Sequence, residues 1–86
     1  MKYTVILAKS AQKQLDKLPN EVAGRVLKKL ALLESNPRTN DTKKLKGSDA
    51  YRVRIGDYRV IYEIHDGRLL VVVIQVGHRR EIYRSD

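Results

Sequence analysis

Tyr51-Arg52-Val53-Arg54-Ile55-Gly56-Asp57-Tyr58-Arg59-Val60-Ile61-Tyr62 alternates apolar or aromatic residues with arginines, breaks at Gly-Asp, and then resumes the alternation. A period of two is the signature of a strand, and Gly-Asp between two such runs marks a tight hairpin turn. With a two-residue turn, Ile55 stands across from Tyr58 and Arg54 across from Arg59, and Arg52 shares the face of both arginines. Like charges directly opposed across a strand pair destabilise it by up to ~1 kcal/mol. Cations gathered on one sheet face therefore point to an anion that this face meets. The alternative is a row of solvated side chains on an open face.

Downstream, Leu69-Leu70-Val71-Val72-Val73-Ile74-Gln75-Val76 is apolar on both faces and so belongs inside a sheet. Strands are expected at 50–55, 58–65 and 68–76, with Gly56-Asp57 and Asp66-Gly67 as two-residue turns. Tyr51, Val53, Ile55, Tyr58, Val60, Tyr62, Ile64, Val71 and Val73 should face a covering layer. Arg52, Arg54, Arg59 and Ile61 should face away, and the end of the last strand should deliver His78 and Arg79 to the same neighbourhood. The remaining tail reads as a turn of helix or an extended arm.

Upstream, residues 2–8 alternate as a first strand. Ser10 suits a helix N-cap, with Ala11, Leu15 and Leu18 on one face after it. Pro19-Asn20 breaks that helix. A second is expected over 21–34, with Val22, Val26, Leu30 and Leu33 as its stripe, and Asn36-Pro37 ends it because a residue before proline avoids helical backbone. The outward lysines Lys9, Lys13, Lys17, Lys28 and Lys29 read as a solvated face. Arg38 to Asp49 is polar and lacks periodicity, so it reads as a loop. The predicted fold is α+β and a single domain over 1–86: an N-terminal strand, an antiparallel helical hairpin, then a three-stranded antiparallel meander, with the helices on one sheet face.

The 86 residues hold 18 Lys and Arg against 10 Asp and Glu, a net charge of +8, and no cysteine. Lack of cysteine excludes a disulfide framework and suits a reducing cytoplasm. The apolar run Val5-Ile6-Leu7-Ala8 is too short for a signal peptide or a membrane span. The basic balance suits nucleic acid, an anionic membrane or an acidic protein. Helices without Phe or Trp argue against the membrane. Nucleic acid comes first, and an acidic protein can compete for the same surface.

No metal or cofactor is expected. His65 and His78 are far apart, carboxylates lack ligand spacing, the glycines are isolated, and no nucleophile has a recognisable His and acid. RNA cleavage by its own 2′-hydroxyl needs none of these. It needs in-line geometry, removal of the 2′ proton, charge neutralisation at phosphorus, and a proton for the leaving 5′ oxygen. Arg52, Arg54 and Arg59 can neutralise through forked contacts but are poor proton carriers. His78 is the residue type that changes charge near neutral pH; a plain loop position is its alternative. Tyr83 can stack on a base or simply pack beside Ile82. Lys43, Lys44 and Lys46 can steer a nucleic-acid backbone, or remain solvated on a loop.

Lys44-Leu45-Lys46-Gly47, Tyr51-Arg52-Val53-Arg54, Asp57-Tyr58-Arg59-Val60-Ile61-Tyr62 and Val76-Gly77-His78-Arg79 with Tyr83, taken in order, resemble the signature of the RelE/ParE toxin superfamily on its RelE side. The resemblance covers nearly the whole chain. It implies a small toxin of a type II toxin–antitoxin pair that enters the ribosomal A site and cuts mRNA, blocking translation in the cytoplasm. It implies Arg59 and Arg79 as phosphate-stabilising residues and Tyr83 as an orienting or stacking one. Arginine at 52 and 54, where the best-known RelE pattern has lysine, shifts the acid–base role toward His78. The chain is expected to lack a longer C-terminal helix after Tyr83. Implied partners are a cognate antitoxin, the ribosome with mRNA, and operator DNA only as the toxin–antitoxin complex. Competing readings are a ParE-like DNA gyrase inhibitor, which has no use for His78, Arg79 and Tyr83, and a harmless nucleic-acid-binding module.

Overall fold

The computed structural model describes residues 2–78. Ala11 and Leu15, one helical turn apart, are the buried positions of helix α1 (Lys9–Asp16). Val26, Leu30 and Leu33 are those of helix α2 (Asn20–Ser35). Asn36 is extended, at φ −152° and ψ 100°, as its position before Pro37 requires. Around the helices the chain forms β1 (Thr4–Leu7), β2 (Thr42–Lys44), β3 (Ala50–Ile55), β4 (Tyr58–His65) and β5 (Leu70–His78). The sheet order is β1-β5-β4-β3-β2; β1 runs parallel to β5 and the other neighbours are antiparallel. The architecture is the expected α+β one, with β5 inside the sheet.

The helices cover one face. Their apolar stripes meet Val53, Val60, Tyr62, Val71, Val73 and Val76, flanked by Tyr3, Val5, Leu7, Tyr51, Ile55 and Ile64. On the other face a small cluster of Ala50 and Ile61, with Leu45 and Ile74 against it, adjoins the arginines.

The arginine hairpin has the predicted register: Ile55 opposite Tyr58, Arg54 opposite Arg59, Arg52 opposite Ile61. Gly56, at φ 60°, supplies the left-handed backbone that so tight a turn needs.

Four sequence expectations are corrected. Helix α1 starts at Lys9 with Ala8 as cap, so Ser10 lies inside the first turn. The Ala8 N–H still bonds Val73 of β5 at 2.8 Å, and the helix begins directly after it. The stretch 38–49 is not all loop, because Thr42–Lys44 pairs with Tyr51–Val53 as an edge strand. It showed no alternation because it is partly or fully exposed along its length and buries no apolar face. Asp66-Gly67 is not a two-residue turn but part of a 3-10 turn (Asp66–Arg68), closed by Leu69 at φ 50°, and β5 starts two residues later than expected. Asp66 is held there from outside the turn. Arg38 donates from both terminal nitrogens to its two oxygens at 3.0 and 2.9 Å, and the Tyr3 hydroxyl donates at 2.7 Å. These bonds, Arg38 first, hold the Asp66 carboxyl down to about 2.

The fourth correction decides the geometry of the site. Along β4 and β5, Ile61 faces Gln75 but Tyr62 faces Val73, so Ile74 is an extra residue in β5, a β-bulge. Strict alternation would put Val73 and Val76 on opposite faces. With the bulge both are buried under the helices, 0% and 1% exposed.

Candidate nucleic-acid interface

Residues that alternate with the core positions of β3 and β4 must emerge on the uncovered face, and these are Arg52, Arg54 and Arg59. Edge strand β2 adds Lys43, which pairs with Arg52. Arg54 stands directly opposite Arg59, so the costly like-charge juxtaposition is real. Arg59 is 3% exposed and is the one buried charged residue among those described. On β5 its partner position is Gly77, where no side chain competes for the space. Arg54 is exposed and Arg52 half-buried, so the face grades from a buried guanidinium to a solvated one.

Lys43, Arg52 and Arg54 line a cavity of about 300 Å³ with Asp41 as its fourth wall. Asp41 is occupied elsewhere as well. Lys29 of α2 pairs with it at 2.8 Å, and the Thr39 hydroxyl donates to it. Those hydrogen bonds, the lysine's first, hold its carboxyl below the usual carboxylate range. The loop before β2 is further pinned by the Tyr62 hydroxyl, which donates to the Pro37 carbonyl at 2.7 Å and lies 3.0 Å from the Thr42 hydroxyl. Burial pushes the Tyr62 phenol up. This buried anchor sets where β2, and with it Lys43, meets the arginines.

The structure brings Lys43, Arg52, Arg54 and Arg59 together. Lys46 lies in the turn after β2 and edges the same face, beside Leu45, Ala50 and Ile61. Lys44 does not join them. It pairs with Tyr51, whose face is the covered one, and borders a hollow with Arg38, Glu63 and Asp66. His78 reaches the correct end of the sheet but the opposite face. Its register partner is Tyr58, and the two rings meet edge to face with centroids 5.4 Å apart. The bulge at Ile74 is the reason, since it reverses the alternation of every later β5 residue. Arg79 and Tyr83 lie outside the described residues. Sequence reading missed Asp41 as a wall of the cation cavity. Its partner Lys29 is on a distant helix, and no local pattern marks the pair.

Such a face can bind the phosphates of a polyanion through several forked contacts at once. Comparison with known proteins places the chain among toxins of toxin–antitoxin systems. Residues 5–83 match the family described as ParE toxin of type II toxin-antitoxin system, parDE. The chain is 33% identical over 86 residues to Toxin RelG of Mycobacterium tuberculosis, covering 98% of this chain and 99% of that protein. It is 33% identical over 88 residues to mRNA interferase toxin RelE of Escherichia coli K12, covering 96% and 92%. Among solved structures, the archaeal RelE–RelB complex from Pyrococcus horikoshii superposes with a TM-score of 0.83 at 34% identity, covering 92% of this chain and 97% of that one. With the fold, the arginine hairpin and these likenesses in agreement, the chain belongs to the RelE/ParE family of type II toxin–antitoxin toxins, as a RelE-type member.

Proposed function

We propose that this toxin is an endoribonuclease that cuts mRNA in the ribosomal A site and so arrests translation. The observation that carries the reading is the Arg54–Arg59 pair on the uncovered sheet face, with Arg52 and Lys43 beside it. A fold that accepts this repulsion gains from a phosphodiester placed between the guanidinium groups. The Escherichia coli relative named an mRNA interferase supports the same chemistry.

In this reading the ribosome presents the mRNA, and the strand runs along Lys43, Arg52 and Arg54 to Arg59. The 2′-hydroxyl attacks the adjoining phosphorus, and its proton leaves to a base. The 5′ oxygen departs with a proton from an acid, giving a 2′,3′-cyclic phosphate and a 5′-hydroxyl. Arg59, already desolvated and fixed, stabilises the charge that grows on the phosphoryl oxygens. His78 is the proton carrier, met by RNA that bends round the end of the sheet. Arg79 and Tyr83 are assigned phosphate stabilisation and base stacking by family resemblance, and Lys44 and Lys46 ribosome contact. No metal takes part in these steps.

Other toxins of the family are solved with an antitoxin, as in the RelE–RelB complex. We assign this chain a cognate antitoxin as well. Its acidic segment would fold over the cationic face and silence it in the cytoplasm, and operator DNA would be bound only by the pair. The test is cell-free translation with pure protein and primer extension across the message. Cuts in the A-site codon are expected. Arg59→Ala should abolish them, Arg59→Lys should restore them in part, and His78→Ala should alter the pH profile of the cleavage rate. Intact mRNA on normally moving ribosomes sinks the proposal, and gyrase-dependent DNA breakage would favour the ParE-like alternative.

A further inference from the structure

A groove of about 440 Å³ opens on the helix side of the sheet, where the end of α1 meets the ends of β4 and β5. Gln14, Lys17, Leu18, Pro19, Tyr58 and His78 line it. The Tyr58 and His78 rings form an aromatic corner with planes 78° apart, and Leu18 and Pro19 add apolar surface. Gln14 Oε1 accepts the Val76 N–H at 2.8 Å. That bond fixes the orientation of the amide and leaves Nε2, a donor, as its other polar end. Lys17 adds an ammonium group, and no carboxylate lines the groove among the described residues.

The location is specific. Tyr58 and His78 pair one step along the strands from Arg59 and Gly77. Neighbouring Cα atoms are only ~3.8 Å apart, and neighbouring side chains point to opposite faces. A phosphate held at Arg59 therefore has this groove directly behind it, round the end of the sheet. An aromatic corner with hydrogen-bond donors, and no acceptor carboxylate among the described residues, suits a flat ring with acceptors along one edge, such as the N7 and O6 edge of guanine.

We propose that this groove receives the nucleobase next to the phosphate bound at Arg59 and sets the base preference of cleavage. The proposal deepens the ribonuclease reading and rests on it for the second arm of the test only. In the first arm, the isolated protein without ribosomes is titrated with each ribonucleoside 5′-monophosphate and followed by amide chemical shifts. Shifts at Tyr58, Val76 and His78 are expected, with GMP binding more tightly than UMP. Gln14→Glu keeps the acceptor for the Val76 N–H but removes the donor, and Tyr58→Leu removes the stacking ring. Each should weaken GMP by about tenfold, the scale of losing one stacked or hydrogen-bonded base contact, with the fold intact by circular dichroism. Shifts confined to the arginine face, or unchanged GMP affinity in both variants, overturn the groove. In the second arm, Gln14→Glu should redistribute cut sites in a translation reaction. Active cleavage with an unchanged cut-site pattern overturns the role in preference. GMP bound in the groove of a protein that cuts nothing would uphold the site while refuting the nuclease reading.

Discussion

Replacing Arg59 with methionine should make the protein more stable and nearly inactive. Arg59 is 3% exposed and sits directly across from Arg54. Relieving a like-charge pair across a ladder is worth up to ~1 kcal/mol, less where one partner is solvated as Arg54 is. Methionine has a similar reach and puts no charge into a position that is 3% exposed. A net gain of about 1 kcal/mol raises Tm by roughly 4–8 °C in a domain of this size. Loss of a preorganised donor to the developing oxyanion should lower the cleavage rate by about 10²- to 10³-fold. Thermal unfolding at low and high salt gives the first number, and primer extension in a translation reaction gives the second. Added salt should raise the wild-type Tm more than that of Arg59→Met, because the variant lacks the Arg54–Arg59 repulsion that salt screens. A variant that melts several degrees lower and still cuts mRNA would show that Arg59 is a structural residue, and the reasoning behind the cationic face would fail.

Tyr62→Phe leaves the Pro37 carbonyl and Thr42 without the buried hydroxyl and should cost about 1–3 kcal/mol, measured by urea unfolding with an unchanged m-value. Asp66, held down to about 2 by Arg38 and Tyr3, contributes stability that is fully present above its unfolded value of ~3.9 and is lost as pH falls through the folded one. Asp66→Asn should therefore flatten the acid limb of a Tm–pH curve between about pH 4 and pH 2 and leave the two proteins alike at the acid end. Lys43→Ala should weaken binding of single-stranded RNA without regard to sequence and reduce the slope of log affinity against log salt by about 0.7. An unchanged slope would remove Lys43 from the RNA track.

Where the chain states its geometry locally, it could be read to the residue. The arginine hairpin is the clearest case, because alternation on both sides of Gly56-Asp57 leaves one register that buries Val53, Val60 and Tyr62 together. The end of α2 at Asn36-Pro37 is another, being a steric rule about one peptide. Edge strand β2 was hidden because Thr42-Lys43-Lys44 buries no apolar face, and its pairing comes from the strand beside it. The bulge was hidden for the opposite reason. Leu70 to Val76 is apolar at nearly every position, so neither phase of the alternation stands out and a slip at Ile74 leaves no trace. His78 consequently lands on the face that alternation denied it. The Asp66-Gly67 turn was misread because its geometry depends on Arg38 and Tyr3, which are distant along the chain.

The parallel union of β1 with β5 joins Thr4 to Leu70, whereas the other strand pairs join segments adjacent in the chain. The hairpins can close early, at small entropic cost, while β1 must wait for a partner strand that lies far downstream. Gly77, the neighbour that completes the seat of Arg59, arrives later still. A nascent chain thus emerges with its first strand unpaired and its buried arginine unseated, so the cationic face is complete only once β5 has left the ribosome.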